Sequence, residues 1–108
     1  MTIFETVQNG DLNTLKRLVD NQEEEDIINY VNSQNPITGI SPLHIAAKFG
    51  FLDICEYLQQ MGALIDVTDL NDRTPLHYGA EGPHPDICHF LIEQEAFIDA
   101  KDIFLLLS

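Results

Sequence analysis

Residues 41–50 read SPLHIAAKFG and residues 74–83 read TPLHYGAEGP, two near-copies whose starts, Ser41 and Thr74, lie 33 positions apart in a chain of 108 residues. The register persists well beyond the quoted stretch. Ala47 falls on Ala80, Asp53-Ile54-Cys55 on Asp86-Ile87-Cys88, Leu58 on Leu91, Ala63 on Ala96, Ile65-Asp66 on Ile98-Asp99 and Asp69 on Asp102. Self-similarity at a period of roughly 20–50 residues marks an array of stacked units, each of which buries its apolar face only against its neighbours.

Each part of the unit has a local physical reading. Ser41 and Thr74 are N-cap residues whose hydroxyls accept from a free backbone N–H. Pro42 and Pro75 then occupy the first helical position, where a missing donor is harmless. A short helix through Leu43, Ala46 and Ala47 follows, its small side chains allowing neighbours to approach, and Gly50 ends it. A second helix is expected over Leu52 to Gln60, with Leu52, Cys55 and Leu58 as an apolar stripe and Gly62 as its stop. The stretch from Asp66 to Arg73 reads as a turn or hairpin.

The phrase [ST]PLH-x-A-A … G … L-x-x-x-G-A-x-I-D at this period resembles the ankyrin repeat. The resemblance implies an all-α, helix–turn–helix solenoid with short hairpin loops. It extends upstream, where Gly10-Asp11-Leu12, Leu15 and Leu18 resemble Gly50-Phe51-Leu52, Cys55 and Leu58 at an offset of 40. The extra residues fall in an acidic insertion near 22–30, QEEEDIINY. Repeat 1 is thus expected over about 1–38, repeat 2 over 39–71 and repeat 3 over 72–102, followed by an apolar tail at 103–108. Thr2 and Glu5 have the form of a capping box for the first helix, with Ile3, Phe4 and Val7 on its inner side. Two departures weaken repeat 3: Pro83 stands where the family has the inter-helix glycine, and Gly79 replaces an alanine.

Composition narrows the partner classes. Five Lys+Arg against eighteen Asp+Glu give a net charge of −13 and a pI of about 4.2. Lys16, Arg17, Lys48, Arg73 and Lys101 form no basic footprint, which argues against nucleic acid and anionic membrane surfaces. The acidity either serves solubility or favours a basic protein partner. Two cysteines, no secretory leader and no apolar run of membrane-spanning length point to an intracellular chain, cytoplasmic or nuclear.

Chemistry-bearing constellations are absent. No nucleophile elbow, phosphate-cradling loop or HExxH is present, so the expectation is no enzyme, no metal and no cofactor. His84 and His89 are not at the i, i+4 spacing of a helical metal pair. Cys55 and Cys88 occupy the same site in successive units and read as reduced core packing. The run Glu23-Glu24-Glu25-Asp26 lacks the alternation and central glycine of a calcium loop. The ankyrin resemblance makes Ser41, Pro42, Leu43, His44, Thr74, Pro75, Leu76 and His77 structural, with both imidazoles tying a helix to neighbouring loops.

What is left is recognition of another protein through the concave face. The resemblance places Ile37, Thr38, Ile40, Leu70, Asn71 and Arg73 on hairpin tips, and Lys48, Phe49 and Glu81 on the exposed side of the first helices. Phe49 and Arg73 are residue types favoured where binding energy concentrates. The expected role is a non-catalytic interaction module: adaptor, inhibitor or assembly factor. The alternative is a regulatory domain or subunit for an enzyme on a separate chain. The apolar tail admits three uses: a cap on repeat 3, a patch driving self-association of a truncated array, or a ligand for another protein.

Overall fold

The computed structural model describes residues 2–94. The end of the expected third repeat, the tail at 103–108 and its capping or self-association roles lie outside the described residues. Within them the chain is helical: α1 (Ile3–Gln8), α2 (Leu12–Asp20), a 3-10 turn (Glu24–Asp26), α3 (Ile27–Val31), α4 (Pro42–Phe49), α5 (Leu52–Gln60) and α6 (Pro75–Glu81), then α7, helical over 85–94. The helix–turn–helix array implied by the repeated phrase is the architecture observed. Helices α1, α4 and α6 form an inner row, each backed by an outer helix.

The sequence signals act as local chemistry demands. Ser41 caps α4: its hydroxyl accepts from the His44 N–H at 3.4 Å, and the His44 ring Nδ1 accepts from the Ser41 N–H at 3.0 Å. A histidine thus does at the third helical position what Glu or Gln does in an ordinary capping box. At α1 the Thr2 hydroxyl accepts from the Glu5 N–H at 3.2 Å, but the Glu5 carboxylate accepts from that same hydroxyl at 3.4 Å. The turn between α4 and α5 closes through Phe51 N–H to Ala46 O, 2.9 Å, with Gly50 left-handed at φ 78°. Pro83 lacks the N–H for the inner bond of such a turn, and Gly82 stays at φ −82°. The outer bond survives as His84 N–H to Gly79 O at 3.0 Å. Gly79 also has a packing reason: a Cβ there would meet Ile87 Cγ2 at 3.2 Å, so its absence lets α7 close on α6.

The core runs through all three helical pairs: Ile3 and Val7 from α1, Leu15 and Val19 from α2, Leu43, Ala46 and Ala47 from α4, Ile54, Cys55 and Leu58 from α5, and Ile87 and Leu91 from α7. Each large apolar side chain buried here contributes on the order of 1.5–3 kcal/mol. On α5 Ile54, rather than the expected Leu52, completes the fully buried stripe, and Leu52 is only half-buried. Cys55 and Cys88 are both free thiols. Burial, reinforced by Asp53, Asp86 and Glu56, pushes the Cys55 thiol up to about 12.

A stagger device joins successive units. The ring of Phe51 lies on Gly10 of the preceding unit, where a Cβ would come within 2.9 Å of it. His84 lies in the same way on Gly50, 2.6 Å from where a Cβ would stand, and its Nε2 is 3.0 Å from the Lys48 carbonyl. The segment around α3 joins the seam as well: Ile28 lies on Gly62, 2.9 Å from where a Cβ would stand, and Asn32, just past α3, donates to Gly62 O at 3.0 Å and accepts from the Leu64 N–H at 2.8 Å, while Glu24, Glu25 and Asp26 face solvent.

Two glycine substitutions separate backbone strain from packing. Both Gly39 (φ 76°) and Gly50 are left-handed, a conformation costing a β-carbon about 1–2 kcal/mol. At Gly50 the obstacle is a side chain that can shift; at Gly39 it is the Leu70 backbone nitrogen at 2.8 Å. Urea unfolding should therefore show Gly39→Ala losing clearly more stability than Gly50→Ala, each exceeding about 1 kcal/mol.

Candidate interaction face

Two stacked turns define one edge of the molecule. In the first, Asn35 Oδ1 accepts from the Ile37 and Thr38 N–H groups at 2.8 and 3.2 Å. In the second, Asp69 Oδ1 accepts from Asn71 and Arg73 N–H at 2.8 and 3.0 Å. Asp72 takes the left-handed position at φ 59°, which an aspartate tolerates better than most residues. The turns are joined by Leu70 N–H to Thr38 O at 3.0 Å and by Gln34 Nε2 to Gly39 O and Thr68 O at 2.8 and 2.9 Å.

Beneath the turns lies a polar cluster centred on His44. Its Nε2 is 2.8 Å from the Arg73 carbonyl, an acceptor only, so the ring proton sits on Nε2 and Nδ1 accepts from Ser41. One neutral imidazole thereby caps its own helix and holds the next turn. The Tyr78 ring meets it edge-on, centroids 5.1 Å apart, and the Tyr78 hydroxyl donates to Asp69 Oδ2. Burial, with the Asp69 carboxylate beside it, pushes the Tyr78 hydroxyl up to about 12. Burial alone would raise Asp69, but the donors Tyr78 O–H, Arg73 N–H and Asn71 N–H outweigh it and hold the carboxyl below its ordinary value. His77 repeats the local half of the His44 pattern, accepting from the Thr74 N–H at 2.9 Å, with its ring exposed.

Above this cluster is a groove of about 290 Å³. Phe4 and Gln8 of α1, Asn35, Thr38 and Ile40 of the first turn, Ile45, Lys48 and Phe49 of α4, and Tyr78 of α6 line it, with His44 at its floor. Phe49 is 42% exposed and stacks on Phe51 at 6.2 Å, while the Lys48 ammonium lies 5.6 Å from its centroid. Of the expected partner-binding residues, Thr38, Ile40, Lys48 and Phe49 meet in this groove. Ile37 (81% exposed) and Leu70 (69%) are exposed on the two adjoining turns, as is Asn71. Arg73 and Glu81 are exposed but engaged with each other, Nη1 to Oε1 at 3.1 Å.

Ser41, Pro42, Leu43, His44 and Pro75 are buried, Thr74 and Leu76 half-buried. Gln8, Asn35, Ile45 and Tyr78 were not singled out by sequence, and Phe4 was expected only on the inner side of α1. Phe4, Ile45 and Tyr78 are half-buried, packed against the core on one side and lining the groove on the other. A second cleft, about 350 Å³, lies between α2 and α5, with Lys16 Nζ 5.7 Å over the Tyr57 ring. His84 is committed to packing and His89 pairs with Glu93 at 2.8 Å. Among the described residues no three His, Cys, Asp or Glu side chains are gathered as a metal ion would require. No helix among them is long and apolar enough to cross a membrane.

A stack of helix–turn–helix units tied turn to turn and helix to turn in this way is a repeat solenoid, and a family model of ankyrin repeats, in three copies, matches residues 3–102. The chain belongs to the ankyrin-repeat family. It is similar to the protein fem-1 homolog C of Xenopus laevis, 29% identical over 66 residues, covering 60% of this chain. The match spans only 10% of that relative's length. Ankyrin repeats are in general modules that bind other proteins, and they are typically non-catalytic.

The neutral, buried His44 gives stability a defined pH dependence. Burial holds its pKa below 6.5, outweighing the Arg73 carbonyl and Asp69, which raise it. The unfolded chain takes up a proton below about pH 6.5 that the folded chain resists, so stability is complete above that value and declines as pH falls toward the lowered folded value. Denaturation series across this range should show the decline in the wild type and a flatter profile in His44→Gln, which is also less stable well above pH 6.5 by about 1–3 kcal/mol. Equal slopes would place the titration elsewhere.

Proposed function

We propose that this chain is a non-catalytic recognition module that holds a segment of another protein on its turn-side face, in the role of an adaptor, inhibitor or assembly factor. The observation that carries this reading is the groove between α1 and α4: it combines an exposed aromatic wall, Phe49, with apolar Phe4, Ile40 and Ile45 and the polar ends of Gln8, Asn35 and Thr38. Aromatic anchors set in an apolar pocket with a polar rim are where protein interfaces concentrate their energy. The exposed pair Ile37 and Leu70 extends the same face along the turns, giving a partner contacts on more than one repeat.

Arg73 has a smaller part than its residue type suggested. Its guanidinium is paired with Glu81, an exposed ion pair worth about 0–1 kcal/mol, and its carbonyl is held by His44. Phe49 and Leu70 carry more of the reading. Partner capture from a cell extract with quantitative mass spectrometry tests it, using wild type beside a Phe49→Ala, Leu70→Ala variant verified as folded by circular dichroism. Both side chains are exposed, so the variant should fold; its partner should bind at least about tenfold more weakly. Equal capture by the two proteins would refute recognition through this face.

A further inference from the structure

Resting on that reading, we infer that the groove selects a peptide segment carrying one Asp or Glu carboxylate beside a large apolar side chain, with Lys48 as the carboxylate's partner. Of the chain's eighteen acidic residues, none among the described residues lines the groove; the single charged group lining it among them is the Lys48 ammonium. Lys48 and Glu81 occupy equivalent positions one repeat apart, and Glu81 is drawn instead to Arg73, 3.1 Å away. Among the described residues no carboxylate pairs with Lys48.

The remaining described cations are engaged or lie on other surfaces: Lys16 over Tyr57 in the α2–α5 cleft, and Arg17 on α2 against Thr14. Lys48 is held against the Phe49 ring, 5.6 Å from its centroid. A ligand carboxylate meeting the ammonium therefore brings its neighbouring side chain onto the aromatic wall formed by Phe4, Phe49 and Tyr78. The net charge of −13 limits the ligand in the other direction. An acidic run would be repelled by the rest of the molecule, so the segment brings one carboxylate in an otherwise neutral or basic sequence.

The test is a random dodecapeptide display selection against the full-length chain, followed by affinity measurement of enriched peptides on wild type, Lys48→Ala, Lys48→Arg and Phe49→Ala. Expected is enrichment of one Asp or Glu within two positions of Phe, Leu or Met. Lys48→Ala should then weaken binding about tenfold, as should replacing the peptide acid by its amide. The two changes together should add little further loss, and Lys48→Arg should keep most of the affinity. Peptides that need Phe49 but carry no acid and ignore Lys48→Ala would overturn this inference and leave recognition through the face standing. Peptides indifferent to Phe49→Ala would overturn both.

Discussion

The fold depends on α4 being buried from two sides. It packs against α1 on one flank and α6 on the other, with α5 behind it, and Leu43, Ala46 and Ala47 are fully enclosed. The two alanines matter because a larger side chain at either would hold the helices apart and waste the close packing that a repeat array depends on. No single helical pair has enough apolar surface to stand alone, so the seams on either side of α4 decide whether the described chain folds at all.

Those seams are fixed by three kinds of contact that work together. Rings on glycines, Phe51 on Gly10 and His84 on Gly50, set the distance between successive units. His44 and Asn32 set their register, since each bonds its own segment and the following repeat. Backbone bonds between turns, such as Leu70 to Thr38, then align the edge where Ile37 and Leu70 are exposed. The groove is a by-product of this stacking: once α1, α4 and the first turn are held in register, a groove opens that has apolar walls and, among the described residues, no carboxylate lining it.

Much of the architecture was legible because it rests on local chemistry repeated in phase. Ser41-Pro42, Gly50 and Gly62 announce where helices start and stop, and the start and end of α5 at Leu52 and Gln60 follow from them. Contacts across repeats were not legible, since they join residues that no local rule pairs. The Asn32 bridge and the Tyr78–Asp69 bond depend on how units stack. The same holds for the face. Thr38, Ile40, Lys48 and Phe49 could be placed by motif position, whereas Phe4 was read only as an inner residue of α1, and Ile45 and Tyr78 line the groove only because α1, α4 and α6 stack as they do. Arg73 was named for its residue type, and Glu81 at the far end of α6 is paired with it.

Chemical-shift mapping on the isotopically labelled chain tests most directly whether the α1–α4 groove, and not the cleft between α2 and α5, is the recognition surface. The probe is a peptide selected for binding to the chain, titrated while backbone amides are followed. Shifts should gather at Phe4, Gln8, Ile45, Lys48, Phe49 and Tyr78, leaving Leu12, Lys16, Glu56 and Tyr57 in place. Shifts concentrated on Leu12, Lys16, Glu56 and Tyr57, with the groove amides unmoved, would contradict recognition through the groove.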